Sequence, residues 1–284
     1  MTDAWFENVI ESDGIDGEGC RRSEAMTLKL YLRDEISIDQ ASQQLALPTE
    51  TCALPGDPLI YLWGVLQDAM VELPHSAQKI TPLLLQLQKR PDVRLREEQR
   101  TDALSDKQWT LWNDLPGFAN MWYDMHWWYY GSQWRVDKLR FENQDAVVNI
   151  PRIAVADALL SVSGILGERA KAEGLARLAH TLEDEDAVLR VEILILREWL
   201  LNAGDMLFGM CRDGFQHDLL DNSVELEKKS VGKPRRELWK EDSDASLPRW
   251  QFWKQRLGNI EQDMELEDDV RVAARVCLEV MGQY

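Results

Sequence analysis

The sequence predicts an all-α protein, and three observations lead to this prediction. Apolar residues recur at helical spacing along most of the chain, serine, aspartate and proline stand where helices would begin or end, and no stretch alternates polar and apolar residues as a strand does. We expect a flexible acidic leader over residues 1–22 and a single domain of about nine to eleven helices over residues 23–284. A mobile basic segment is expected near residues 221–246.

Composition and charge restrict the class of protein. Of the 284 residues 45% are hydrophobic, which is enough for a sizeable core, and the formal net charge of -18 repels nucleic acids and anionic membranes unless a local basic patch is present. No apolar run reaches the roughly 20 residues that a membrane-spanning helix needs, and the acidic start lacks the features of a signal peptide. We therefore expect a cytoplasmic protein that does not associate with membranes.

The cysteines and histidines carry no metal signature. The four cysteines are scattered without a CxxC pair, and none stands at metal-ligand spacing from a histidine. We expect reduced thiols and no metal site.

The first half of the chain predicts two pairs of helices. Two short helices fall within residues 24–47, and Ser37 is placed to cap the second of them. Residues 59–73 and 75–89 each have an apolar face and are joined by a short turn, so they should pack as an antiparallel hairpin. Ser76 is the expected cap of the later helix in this hairpin.

The tryptophan-rich stretch Trp109–Trp134 is the centre of the predicted fold. It holds six of the twelve tryptophans. A helix is predicted after Pro116 and as far as Gly131, with aromatic residues on every side, so it should be enclosed rather than lie at the surface. The helices expected around the stretch span residues 58–73, 153–172 and 186–203.

Charged residues within the helices predicted over residues 153–172 and 186–203 need partners. Asp157, Arg190 and Arg197 stand among leucine, valine and isoleucine, and a lone buried ion is costly. An ion pair between Asp157 and one of these arginines would satisfy the requirement. The other interpretation makes Asp157 a buried acid with a raised pKa, able to act in acid–base chemistry.

Two further helices are predicted from about Leu247 and from Glu267.

Carboxylates and tryptophans in the stretch predict a pocket for a guanidinium group. A carboxylate binds guanidinium through charge-assisted hydrogen bonds, and an indole face stacks on it. Asp114 and Asp124 are the candidate carboxylates, and Asp124 or His126 is the candidate proton relay. The candidate wall of the pocket consists of Trp112, Trp122, Trp127 and Trp128. Asp157 is a further candidate substrate-binding residue. In the structural interpretation Asp114 caps a helix, the tryptophans form core, and His126 is a hydrogen-bonded interior histidine.

A basic run in the second half is the candidate RNA-binding segment. Its cations surround Trp239, and phosphate contacts together with base stacking would need such a combination. The other interpretation is a flexible charged loop on an acidic protein. The basic residues are Lys228, Lys229, Lys233, Arg235, Arg236 and Lys240.

Four segments of the sequence together carry a family resemblance: YLRDEISIDQASQQLAL, LIYLWGVLQDAM, ITPLLLQLQKRP and WTLWNDLPGFANMW. They resemble a fungal all-helical family of unknown function, domain of unknown function 3632. The most specific part is the WNDLP element, Trp112–Pro116, and the similarity runs from about Leu28 to Leu200. The resemblance implies an all-helical fold.

Some fungal proteins that look like this family are arginine-containing cyclodipeptide synthases of secondary metabolism. The resemblance therefore implies aminoacyl-tRNA as a partner and a diketopiperazine as the product, without a metal or organic cofactor. No catalytic residue of that group can be matched to this sequence. Other cyclodipeptide synthases have a doubly wound α/β domain with a serine nucleophile, and this chain lacks that alternation of strands and helices.

Two other functions agree with the same residues. One is a non-catalytic helical protein-interaction module that uses its acidic face. The other is an enzyme of secondary metabolism that binds an apolar small molecule in the aromatic pocket.

Overall fold

The computed structural model describes residues 3–10, 19–52, 55–91, 110–141, 143–220, 238–241 and 244–284. These residues contain twelve α-helices and no strand, so the all-α prediction is confirmed. The chain folds into two compact units, unit 1 (Met1–His126) and unit 2 (Trp127–Tyr284). None of the helices described is both long and apolar enough to cross a membrane. The four cysteines are not joined in disulfides in the structure.

Unit 1 contains six helices. They are α1 (Asp3–Asn8), α2 (Arg22–Leu32), α3 (Ile38–Glu50), α4 (Gly56–Glu72), α5 (Ala77–Gln88) and α6 (Phe118–Met125). Ser37 caps α3 as predicted, because its hydroxyl accepts a hydrogen bond from the Gln40 N–H at 3.2 Å. Helices α4 and α5 pack against each other, as the hairpin prediction required. Ser76 differs from its prediction: its hydroxyl donates to the carbonyls of Ala69 and Leu73 and so closes the end of α4.

Helix α1 lies within the stretch predicted as a mobile leader. The Phe6 side chain is buried, and the indole N–H of Trp5 donates to Glu72 Oε2 in α4 at 2.6 Å. The Asp3 carboxylate lies 2.7 Å from the Lys29 ammonium in α2. An apolar anchor and two polar contacts therefore hold these six residues against the rest of unit 1.

Asp68 and Glu72 are acidic side chains one turn apart on α4, and Trp5 of α1 contacts Glu72. Burial, and then the neighbouring Glu72, raise the pKa of Asp68 to about 6. Because the folded-state pKa lies above the ordinary value, the contribution of Asp68 to stability is fully present at about pH 4 and is lost as the pH rises through about 6.

We expect Asp68→Asn to raise the melting temperature at about pH 7.5, because the amide removes a buried charge and its repulsion of Glu72. The gain should shrink towards about pH 4, where the carboxyl of the parent protein is already protonated. Thermal unfolding followed by circular dichroism across this range measures it. Glu35→Gln, at an exposed carboxylate of the same unit, is the control and should change little. An equal gain at both ends of the range would contradict the prediction.

Unit 2 contains the remaining six helices. They are α7 (Ser132–Phe141), α8 (Asn143–Val162), α9 (Glu168–Leu182), α10 (Leu189–Arg212), α11 (Leu247–Gln262) and α12 (Asp268–Met281). Two 3₁₀ turns span Trp127–Tyr130 and Asp218–Leu220. Helix α10 packs against α8, α9, α11 and α12 and is the centre of the unit.

Three predicted helix boundaries were wrong. The helix expected over residues 153–172 is divided into α8 and α9, and in the turn between them Gly164 and Gly167 both adopt φ of 79°. Glycine takes this left-handed conformation without the steric cost that a Cβ imposes. The helix expected over residues 186–203 continues to Arg212. The helix expected to reach Gly131 ends at Met125, where the 3₁₀ turn follows.

A close approach of α9 to α10 depends on Gly174. A Cβ at this position would lie 2.5 Å from Cζ3 of Trp199 and 2.8 Å from Cδ2 of Leu207. Both neighbours are fully buried, so neither ring nor methyl group has free space to move into.

We expect Gly174→Ala to destabilise the protein by about 1–3 kcal/mol, the usual cost of overpacking a core. Chemical denaturation measures the free energy of unfolding. Gly209→Ala in α10 is the matched control, because a Cβ there meets no atom within 4 Å. Alanine has the higher helix propensity, so the control should be neutral or stabilised by up to about 1 kcal/mol. A neutral Gly174→Ala would contradict the packing of α9 on α10.

Candidate functional site

The predicted site residues divide between the two units. Unit 1 contains Trp112, Asp114, Trp122, Asp124 and His126. Unit 2 contains Trp127, Trp128 and Asp157. The tryptophan-rich stretch therefore contributes to two separate sets of packing.

The WNDLP element of unit 1 is a loop held in place by hydrogen bonds from α4 and α5. The Trp63 indole N–H in α4 donates to the Pro116 carbonyl at 2.8 Å, and the Gln88 side-chain amide in α5 donates to the Asn113 carbonyl at 2.9 Å. Leu115 adopts φ of 43°, which is unusual for a residue with a Cβ. These hydrogen bonds hold the strained turn in place, so the element has a structural role in unit 1.

The two predicted pocket tryptophans of unit 1 are core residues. Trp112 and Trp122 are fully buried, and the Trp112 indole N–H donates to Glu50 Oε1 at 2.9 Å. The rings of Trp122 and His126 meet at 4.4 Å between centroids. His126 Nε2 has no hydrogen-bond partner in the described part of the chain, and burial lowers the His126 pKa to about 4. The imidazole is therefore neutral at physiological pH and is a weak base.

The two predicted carboxylates of unit 1 are exposed. Asp114 accepts hydrogen bonds from the Thr110 N–H at 2.7 Å and from the Thr110 hydroxyl at 2.9 Å. It closes the turn from Thr110 into the WNDLP element rather than capping α6, whose N-cap residue is Gly117. Asp124 lies on the exposed side of α6.

Unit 2 contains a buried ionic cluster on four helices, made of Arg135, Asp157, Glu173, Arg177 and Glu192. Arg135 binds Glu192 with two hydrogen bonds, Nε to Oε1 at 3.1 Å and Nη2 to Oε2 at 2.5 Å. Arg177 Nη2 lies 3.3 Å from Glu173 Oε2. Burial lowers the pKa of Arg135, and the Glu192 charge opposes this shift. Such burial of charge is costly without partners, and each guanidinium has one.

The guanidinium groups of the buried ionic cluster also fix the 3₁₀ turn. Arg135 Nη1 donates to the Tyr129 carbonyl, and Arg177 Nη1 donates to the Tyr130 carbonyl at 3.5 Å. The Arg177 guanidinium stacks over both rings, 5.1 Å from the centroid of Tyr129 and 5.4 Å from that of Tyr130. Because side chains satisfy these carbonyls, the backbone does not need the hydrogen bonds of a continued α-helix. This explains why the predicted helix ends before the turn.

Tyr130 connects the turn to the buried carboxylate. Its hydroxyl donates to Asp157 Oδ1 at 2.8 Å, while its side chain is only half-buried. The neighbouring Tyr129 is fully buried, and burial raises the pKa of its hydroxyl, which therefore stays protonated. A half-buried side chain is therefore hydrogen-bonded to a buried carboxylate, which is an arrangement compatible with proton transfer.

Sequence reasoning expected the wrong arginines to be buried. Arg190 is exposed, and Arg197 is half-buried and pairs with Glu198 at 2.5 Å. The buried arginines are Arg135, Arg177 and Arg249. The spacing on α10 offered a usable signal, because Glu192, Leu196 and Trp199 follow one buried helix face. Arg190 and Arg197 follow the opposite face.

A second buried ion pair in unit 2 is closed on all sides. Arg249 binds Glu183 with two hydrogen bonds of 2.6 and 2.8 Å, and the Trp253 indole N–H donates to the same carboxylate at 2.7 Å. Trp239 is buried, with its ring centroid 5.9 Å from the Arg249 guanidinium and 5.3 Å from the centroid of Phe252. Trp239 therefore does not present a free face to a nucleic-acid base.

The predicted RNA-binding run falls mainly outside the described residues. Lys240 is described and is exposed. The residues that lie outside are Lys228, Lys229, Lys233, Arg235 and Arg236. Within the described ranges, no group of three His, Cys, Asp or Glu side chains is arranged to hold a metal ion.

Comparison with known proteins gives one family. The match covers residues 63–257, and the family is described as Protein of unknown function (DUF3632). No match was found among the curated proteins or among the solved structures. The matched residues make up more than half of the chain and extend from Trp63 in α4 to Leu257 in α11, so the chain belongs to this family of unknown function.

Proposed function

We propose that the protein is an aminoacyl-transfer enzyme that uses aminoacyl-tRNA and joins arginine and a second amino acid into a cyclic dipeptide. The observation that carries the proposal is the hydrogen bond between Tyr130 and the buried Asp157. The hydroxyl of a half-buried tyrosine on a buried carboxylate is an arrangement suited to proton transfer.

The reaction needs little chemistry beyond positioning and proton transfer, because the aminoacyl ester is already activated. The amine of one aminoacyl group attacks the ester carbonyl of the other, a C–N bond forms, and the ester C–O bond breaks. The proton released by the amine passes to Tyr130 as Tyr130 gives its own proton to Asp157. The departing ribose oxygen then takes a proton from Tyr130 as Asp157 returns its proton to Tyr130, so both groups regain their starting states. A second attack of the same kind closes the six-membered ring.

Arg177 supports this proton transfer electrostatically. Its guanidinium lies 5.4 Å from the Tyr130 ring centroid, so it stabilises negative charge that develops on the tyrosine oxygen. Tyr130 and Asp157 replace His126 as the proposed proton relay, because burial lowers the His126 pKa to about 4 and makes the imidazole a poor base.

The choice of arginine rests on the resemblance carried by the WNDLP element. The exposed carboxylates Asp114 and Asp124 of unit 1 are the proposed guanidinium-binding groups, since a carboxylate can accept two guanidinium hydrogen bonds. Lys240 and the basic run before it are the proposed phosphate contacts.

The proposal is tested by expressing the protein in bacteria, which supply every aminoacyl-tRNA, and examining the medium by mass spectrometry. We expect arginine-containing cyclic dipeptides. Tyr130→Phe keeps the ring that Arg177 contacts and removes only the hydroxyl, so it should lower the yield about 100-fold or more. Asp157→Asn should have a similar effect.

Tyr61→Phe, at an exposed tyrosine of unit 1, is the matched control and should leave the yield unchanged. Thermal unfolding of each variant shows whether a lower yield reflects lost fold. Folded parent protein that makes no cyclic dipeptide would overturn the proposed function. Product formation that is unaffected by Tyr130→Phe would retain the function and remove Tyr130 from the mechanism.

A further inference from the structure

Two tryptophans of unit 2 stand out by their exposure. Trp127 is 57% exposed and Trp134 is 53% exposed, whereas the other tryptophans in the described ranges are buried or half-buried. Their rings meet edge to face, with centroids 5.2 Å apart and planes at 71°. Exposing so much indole surface to water is unfavourable, and paired exposed aromatic residues are typical of a binding surface.

The geometry of the pair is fixed by the backbone beneath it. A Cβ at Gly131 would lie 2.8 Å from Cδ1 of Trp134, so the indole rests directly on this glycine. Trp127 begins the 3₁₀ turn whose carbonyls at Tyr129 and Tyr130 are held by the buried ionic cluster. Both rings therefore sit on a rigid support, which lowers the entropy lost when a ligand binds.

The pair lies beside the proposed proton-transfer group. Side chains three residues apart eclipse one another in a 3₁₀ helix, so Trp127 and Tyr130 share one side of the turn. Three residues of such a turn rise by about 6 Å. A ligand stacked on Trp127 would thus lie on the side of the turn that carries Tyr130.

Positive charge adjoins the exposed pair. Lys138 follows Trp134 by one turn of α7, and its ammonium lies 5.3 Å from the ring centroid of Trp128. Aromatic faces next to a cation are the combination that binds the bases and phosphates of a single strand.

We propose that Trp127 and Trp134 form a stacking platform for the unpaired bases at the 3′ end of the aminoacyl-RNA, with Lys138 near a phosphate. This inference rests on the proposed function, which makes aminoacyl-tRNA the substrate. It assigns base stacking to the exposed pair, because Trp239 in the basic run is buried against Arg249.

The test measures fluorescence anisotropy of a labelled single-stranded RNA hexamer that ends in CCA. We expect binding by the parent protein and an affinity about tenfold lower for each of Trp127→Ala and Trp134→Ala, in line with the loss of one base stack. Trp127→Phe should retain part of the affinity. Lys138→Gln should reduce the salt dependence of binding by about one phosphate contact.

Leu201→Ala is the matched control, because Leu201 is an apolar side chain of unit 2 with 52% exposure. The affinity of the Leu201→Ala variant for the hexamer should equal that of the parent protein. The melting temperature of each tryptophan variant should be unchanged, since both rings are exposed. No binding by the parent protein, or equal affinity in the tryptophan variants, would overturn the platform. Displacement of the hexamer by millimolar free arginine would also overturn it, because the surface would then be a cation site.

Product analysis separates this inference from the proposed function. If cyclic dipeptides form while the tryptophan variants bind RNA normally, the function is retained and the platform is rejected. If RNA binding depends on both tryptophans while the folded protein forms no cyclic dipeptide, the platform is retained and the synthase function is rejected.

Discussion

The interaction on which the site of unit 2 depends is the binding of two backbone carbonyls by buried guanidinium groups. Arg135 reaches the carbonyl of Tyr129, and Arg177 reaches that of Tyr130. A buried carbonyl needs a partner, and in a continuous helix the partner is the N–H four residues later. Here the arginines take that role, so the chain turns as a 3₁₀ segment between α6 and α7. The acids Glu192 and Glu173 keep both guanidinium groups paired in a buried setting.

This arrangement orders the functional candidates from the inside outwards. The paired arginines are buried, Tyr130 is half-buried and hydrogen-bonded to Asp157, and Trp127 is exposed on the same side of the turn. Buried ion pairs thus support the hydrogen-bonded Tyr130 hydroxyl and an aromatic surface within one short segment. The pair of Arg249 and Glu183 shows the contrasting case. There the Trp253 indole completes the carboxylate's hydrogen bonds and all three side chains are buried, so the pair stabilises the packing of α11 in unit 2.

The tryptophan-rich stretch serves two physical purposes that its composition does not distinguish. In unit 1, Trp112 and Trp122 fill the core, and the loop between them is held by hydrogen bonds from α4 and α5. In unit 2, Trp127 and Trp134 remain at the surface. Indole suits both environments because it combines a large apolar area with one polar N–H.

The sequence by itself determined the helical class and most helices of unit 1. Apolar spacing and the Ser37 cap are local signals, and they located α2, α3, α4 and α5 without knowledge of their neighbours. Family membership agrees with the resemblance carried by the WNDLP element.

The tertiary structure alone decided which partner each buried charge has and where the aromatic helix ends. Arg135 meets Glu192 across 57 residues, and Tyr130 meets Asp157 across 27 residues, so neither contact has a local signature. Arg197 and Glu192 occupy equally apolar surroundings in the sequence, yet only Glu192 lies on the buried face of α10. Local periodicity specifies that a helix forms and which face is apolar. The choice of partner for each buried charge depends on the packing of distant helices, because a guanidinium is stable there only beside its acid.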